Sequence, residues 1–143
     1  MRLHHIGLVV PQMTEVGEAL ESLGFQAVTS TESDPIQEVS ARFVAVGSEQ
    51  ELYIEILEPA QVTSPISNFL DKRGGGLHHL CFQVDDIDRA AEELISTGAE
   101  MVRQPVECVG YDRSFGLAPS QTTRIAFFRI SGVLLVELLE EGR

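Results

Sequence analysis

Little in this chain would hold it in or on a membrane. No apolar run approaches the roughly 18 residues needed to cross a bilayer. The opening Met1-Arg2-Leu3-His4-His5 runs straight into a strand pattern, without the hydrophobic region of a signal peptide. Cations are also scarce: 10 Lys and Arg stand against 22 Asp and Glu, the net charge is −12, and Lys72 is the sole lysine. That balance argues against nucleic acid and anionic lipid as partners, since both need a basic footprint. Cysteine is rare too. Cys81 and Cys108 are too few and too far apart for a disulfide framework or a Cys-rich zinc site. Cys81 lies in an apolar strand pattern and reads as a buried, reduced thiol. The expected location is the cytoplasm.

What the chain does have is a repeat. Residues 3–10 read Leu-His-His-Ile-Gly-Leu-Val-Val and residues 77–84 read Leu-His-His-Leu-Cys-Phe-Gln-Val, 74 residues apart. Leu20 and Gly24 recur at the same offset as Leu94 and Gly98. A period of this length is too long for a solenoid. It marks a duplicated half-domain within a chain of 143 residues, which is long enough for one compact body with a good core. The composition, 43% apolar and 22% charged, is that of an ordinary soluble globular protein.

Local patterns divide each copy in the same way. The first half, about 1–60, predicts a strand over 3–10 and a helix over 13–23, with Val16, Leu20 and Leu23 at helical spacing and Gly24 as its stop. It continues with a strand over 25–30, a polar loop over 31–37, and strands over 39–46 and 51–58. The last of these alternates cleanly, with Leu52, Ile54 and Ile56 on one face and Tyr53, Glu55 and Leu57 on the other. A linker, 61–76, holds a short helix near 65–72 and then Gly74-Gly75-Gly76. The second half, 77–143, predicts a strand over 77–84 and a helix over 86–97 begun by Asp85-Asp86 and ended by Gly98. A strand over 99–104, a long loop over 105–122, and strands over 123–130 and 133–140 joined at Ser131-Gly132 complete it. The expected fold is α+β. Two tandem βαβββ units form a single domain, with a cupped, mostly antiparallel eight-stranded sheet and helices on its outer face.

The repeat also pairs chemistry. Strand alternation puts His5 on a face with Gly7 and Val9, and His79 on a face with Cys81 and Gln83. His4 and His78 point the other way and read as structural. The last strand of each half carries a glutamate in apolar surroundings, Glu55 and Glu137. An unpartnered carboxylate there would cost several kcal/mol. A lone strand histidine is more often structural than a ligand, and either glutamate alone could be a partly exposed strand residue. Found at matching places in both halves, the four residues point to a mixed nitrogen and oxygen site for one divalent ion, among Co, Ni, Mn, Fe or Zn.

Paired βαβββ units carrying His…Glu…His…Glu resemble the vicinal oxygen chelate superfamily, which includes glyoxalase I, methylmalonyl-CoA epimerases, extradiol dioxygenases and metal-free bleomycin-resistance proteins. The resemblance spans nearly the whole chain and is closest to the epimerases. It rests on Leu57-Glu58-Pro59, on Ser64-Pro65-Ile66 with Phe69-Leu70 and Lys72 leading into Gly74-Gly75-Gly76-Leu77-His78-His79, on Val84-Asp85-Asp86-Ile87, and on Gly132-Val133-Leu134-Leu135-Val136-Glu137-Leu138. It implies His5, Glu55, His79 and Glu137 as metal ligands, with Glu137 and Glu55 as catalytic bases. It also implies proton abstraction next to a thioester carbonyl, with the metal stabilising the enediolate, and a homodimer with a small carbonyl or acyl-CoA substrate. A glyoxalase I-like lyase is the alternative. A dioxygenase would use one carboxylate rather than two, and sequestering proteins of the bleomycin-resistance kind generally lack the ligands. The chain departs from the epimerase pattern at three places. The region Val109-Gly110-Tyr111-Asp112-Arg113-Ser114-Phe115-Gly116 stands where those enzymes have Gly-Ala-His-Gly, and Arg129-Ile130-Ser131 replaces His-Pro-Lys. Ala41 stands where some members have a further glutamate, and Glu38 nearby is not an obvious substitute. An anionic coenzyme A would need a local basic patch, for which Lys72, Arg73, Arg103, Arg113, Arg124 and Arg129 are candidates.

Overall fold

The structure, a computed structural model, describes residues 1–34, 38–47, 49 and 51–143. It divides into two compact units. One is His5–His78; the other joins Met1–His4 to His79–Arg143. Among the described residues there are nine strands and four helices, and no helix is long and apolar enough to cross a membrane.

The first unit takes its strands from β1 (Arg2–Val9), β2 (Gln26–Ala27), β3 (Glu32–Asp34), β4 (Val39–Val46) and β5 (Leu52–Pro59). Their order is β2-β4-β5-β1, with β3 also paired to β4. β1 runs parallel to β5, and the other pairs are antiparallel. The helix α1 (Met13–Ser22) packs on one face through Met13, Val16 and Leu20, against Val10, Val44 and Ile56. A second helix, α2 (Pro65–Arg73), covers part of the opposite face, where Ile66, Phe69 and Leu70 meet Val9, Val39, Ala41 and Leu57. After α2 the chain passes so close to β1 that a Cβ on Gly75 would lie 2.6 Å from the Val9 carbonyl oxygen, so this glycine permits the approach.

The second unit contains β6 (Gly76–Gln83), α3 (Ile87–Ser96), β7 (Glu100–Glu107), α4 (Val109–Ser114), β8 (Arg124–Ile130) and β9 (Leu134–Glu140). The strand order β6-β9-β8-β7 repeats the plan, with β6 parallel to β9. α3 lies on one face, its Ile87, Ala90 and Ala91 packed with Ala126, Phe128, Val136 and Leu138. Both long helices end alike: Gly24 and Gly98 take φ of +96° and +91°, and the next amide returns to the carbonyl of Leu20 or Leu94. Glycine tolerates that left-handed turn without a Cβ penalty.

Three expectations change. The strand expected over 25–30 shrinks to two residues, and the polar stretch after it contains β3, which pairs antiparallel with β4, the next strand in the chain. Residues 35–37 of that stretch lie outside the described residues. This extra strand makes nine instead of eight. The region 105–122 is no continuous loop: β7 runs on to Glu107, and α4 follows at once. Asp112 anchors α4, accepting hydrogen bonds from the Thr123 amide and hydroxyl.

Candidate functional site

The two histidine–glutamate pairs are built by the same register. In the first unit Gly7 stands opposite Glu55 on parallel neighbours, so His5, two residues earlier, shares the glutamate's face. His5 Nε2 lies 3.2 Å from Glu55 Oε2, with the side chains 1% and 14% exposed. Phe43, opposite Glu55 on β4, meets the His5 ring edge-on at 5.3 Å. In the second unit Cys81 stands opposite Glu137, and His79 Nε2 lies 3.0 Å from Glu137 Oε2, the side chains 3% and 7% exposed. Phe127, opposite Glu137 on β8, meets His79 edge-on at 5.8 Å. Each unit thus presents a buried imidazole backed by a phenyl ring and, beside it, a carboxylate that is buried in Glu137 and partly buried in Glu55, on the face away from α1 or α3.

These pairs fit a divalent metal. Imidazole nitrogen and carboxylate oxygen bind such ions at about 2.0–2.2 Å, so two donors at right angles stand about 3 Å apart. Both measured separations match that spacing. The donor type also suits a borderline ion, with no thiolate required. A buried histidine–carboxylate pair adds little to stability by itself once desolvation is counted, so a structural role alone accounts poorly for its repetition.

The neighbouring histidines face elsewhere. His4 is buried, with Nε2 3.1 Å from the Tyr111 hydroxyl and its ring near Phe115. His78 meets Phe69 edge-on at 5.0 Å. Ala41 shares the Glu55 face and packs with the apolar residues of α2, and Glu32 of β3 stands directly opposite it. Glu38 accepts a hydrogen bond from Gln61. Of the candidate cations, Arg124 is held by Asp88 in two hydrogen bonds of 2.8 and 2.9 Å, and Arg129 contacts Glu100 at 3.3 Å. The Arg124 guanidinium holds the Asp88 carboxyl below its ordinary range, and the same bond raises Arg124.

A second carboxylate in each half escaped the sequence reading. Glu58 accepts from the amide of Met13 at 2.7 Å, and Glu140 from that of Ile87 at 2.8 Å. Each lies three residues past the glutamate of the pair, hence on the opposite face, where it meets the start of the helix. The signal was available: Glu-x-x-Glu occurs at both Glu55 and Glu137. One glutamate of each motif faces the histidine, and the other caps a helix that has unbonded amides at its first turn.

Comparison with known proteins agrees with this geometry. The family model described as the glyoxalase/bleomycin resistance protein/dioxygenase superfamily matches residues 4–117. The chain belongs to that superfamily. It is 30% identical over 102 residues to an ethylmalonyl-CoA/methylmalonyl-CoA epimerase of Cereibacter sphaeroides, covering 71% of this chain and 74% of the relative. It is 33% identical over 94 residues to the mitochondrial methylmalonyl-CoA epimerase of Homo sapiens, covering 65% of this chain and 52% of that protein. The crystal structure of methylmalonyl-CoA epimerase from Mycobacterium tuberculosis superposes with a TM-score of 0.80 at 28% identity, over 99% of this chain and 88% of that one. The sequence-based resemblance to the epimerases and the expected α+β class both hold.

Proposed function

We propose that this protein is a metal-dependent epimerase of the methylmalonyl-CoA type, with His5, Glu55, His79 and Glu137 as the ligands of one divalent ion. The observation that carries the reading is the repeated His–Glu pair, with a buried histidine and the same register in both units. The names of the relatives support an acyl-CoA thioester as substrate. When bound, the ion supplies positive charge to the carbonyl oxygen beside the acidic carbon.

The chain's own groups handle the proton. Glu137 takes the α-proton onto a carboxylate oxygen, and the C–H electron pair passes toward the carbonyl. Glu55, loosened from the ligand set and in its carboxylic acid form, delivers a proton to the other side of the carbon, which inverts it. The two glutamates then exchange roles through solvent. Phe43 and Phe127 exclude water around the two histidines and fix their rings. A lone further carboxylate at Ala41 is not needed in this scheme.

Incubation with methylmalonyl-CoA in D₂O, with and without added Co or Ni, tests the reading. Deuterium should enter the α-carbon only with metal present. A metal-loaded protein that leaves the α-proton unexchanged would remove methylmalonyl-CoA as the substrate.

A further inference from the structure

The second half carries one feature that the first does not. Arg103 on β7 stands opposite Phe127 on β8, which stands opposite Glu137 on β9, which stands opposite Cys81 on β6. Residues directly opposite across a sheet project from the same face, so Arg103 shares the face of His79 and Glu137. It reaches that face through a break in register. Met101 pairs with Phe128, which is buried under α3, so an unbroken strand would send Arg103 to the helix side as well. An irregularity between Met101 and Arg103 adds a residue, Val102, and turns Arg103 to the other face; a second follows before Val106, around Pro105. Bulges re-aim side chains in this way, and proline is tolerated within them.

Arg103 is half-buried, and among the described residues it has no ion-pair or hydrogen-bond partner. Arg124 and Arg129, also on this sheet, are both engaged by carboxylates. In the first half the corresponding row runs from Phe43 to Thr29, whose hydroxyl accepts from the Phe43 amide at 2.9 Å and offers no charge. Two strand spacings, about 10 Å, separate the backbone of Arg103 from that of Glu137, a span that the two long side chains and a small acyl group can fill.

We infer that Arg103 binds the free carboxylate of a malonyl-type acyl group and so sets which end of the substrate lies beside Glu137. A planar guanidinium matches a carboxylate through paired hydrogen bonds. The inference rests on the acyl-CoA reading above and names the substrate group that the second half selects.

Direct binding of malonyl-CoA and acetyl-CoA, which differ by that carboxylate, tests it by calorimetry. The wild-type protein should prefer malonyl-CoA by about 10- to 100-fold, as expected for a charged hydrogen-bonded contact. Arg103→Met should lose that preference while keeping its affinity for acetyl-CoA, and Arg103→Lys should restore part of it. Unfolding curves of both variants should overlay the wild type. If Arg103→Met weakens both thioesters equally, the arginine holds a coenzyme phosphate and the inference fails. If the wild type binds both thioesters equally, the inference fails while the acyl-CoA reading stands. If it binds neither, the acyl-CoA reading itself is wrong, and this inference falls with it.

Discussion

The two halves agree where a metal would need donors and differ where a substrate would need orientation. Both carry a histidine about 3 Å from a glutamate, a phenylalanine against the imidazole, and a second glutamate on the helix start. The row across the first half ends in Gly7 and Thr29; that across the second ends in Cys81 and Arg103. Under the proposed function, a duplicated scaffold that kept both pairs uses all four residues as donors.

The strongest way to break the comparison is to remove one carboxylate at a time. Glu137→Gln and Glu55→Gln should each lower epimerisation by roughly 10²–10⁴-fold, the usual range for a general base. Resolved epimers in D₂O should show the asymmetry: each variant should retain α-proton exchange from only one epimer. Equal exchange from both epimers in either variant would show that the two glutamates do not act as opposed bases. The donor set can be tested without turnover. His5→Ala and His79→Ala should each lower the bound metal, measured by elemental analysis after dialysis, and by similar factors if the halves contribute alike.

Smaller effects should come from the helix starts. Glu58→Ala and Glu140→Ala should each cost about 1 kcal/mol in denaturant unfolding, within the range of lost helix caps. The loss at Glu58 should be the larger of the two. Gln12 gives α1 no side-chain cap, whereas Asp86 also caps α3 by accepting from the Arg89 amide at 2.9 Å. The least effect belongs to Asp88→Asn. The Asp88 carboxyl is held below its ordinary range by Arg124, so its contribution is present above the unfolded carboxylate range and is lost as pH falls through the lower folded value. The difference between variant and wild type in thermal unfolding should therefore be small at neutral pH and vanish in acid.

Much of this was legible along the chain. The offset of 74 residues and the alternation around His5, His79, Glu55 and Glu137 identify two equivalent strand pairs, because side-chain direction in an unbroken strand follows from local period. The helix over 86–97 was legible from Asp86 and Gly98 for the same reason: its cap and its stop are local chemistry. The short strand β3 was not, since polar Glu32 and Ser33 are held in a strand by pairing with β4. Nor was α4, a single helical segment held by Asp112 and Thr123, eleven residues apart, rather than by an apolar stripe of its own.

By itself, then, the sequence determined the duplicated α+β plan, the long helices with their glycine stops, and the matched histidine and glutamate of each half, all of which depend on periods of two or 3.6 residues and on near neighbours. Tertiary structure alone decided that Glu58 and Glu140 cap helices, that Arg124 and Arg129 are engaged, and that Arg103 projects from the sheet face that carries His79 and Glu137. The last depends on one added residue at Val102, and a bulge exists only relative to the partner strand, in the register between β7 and β8.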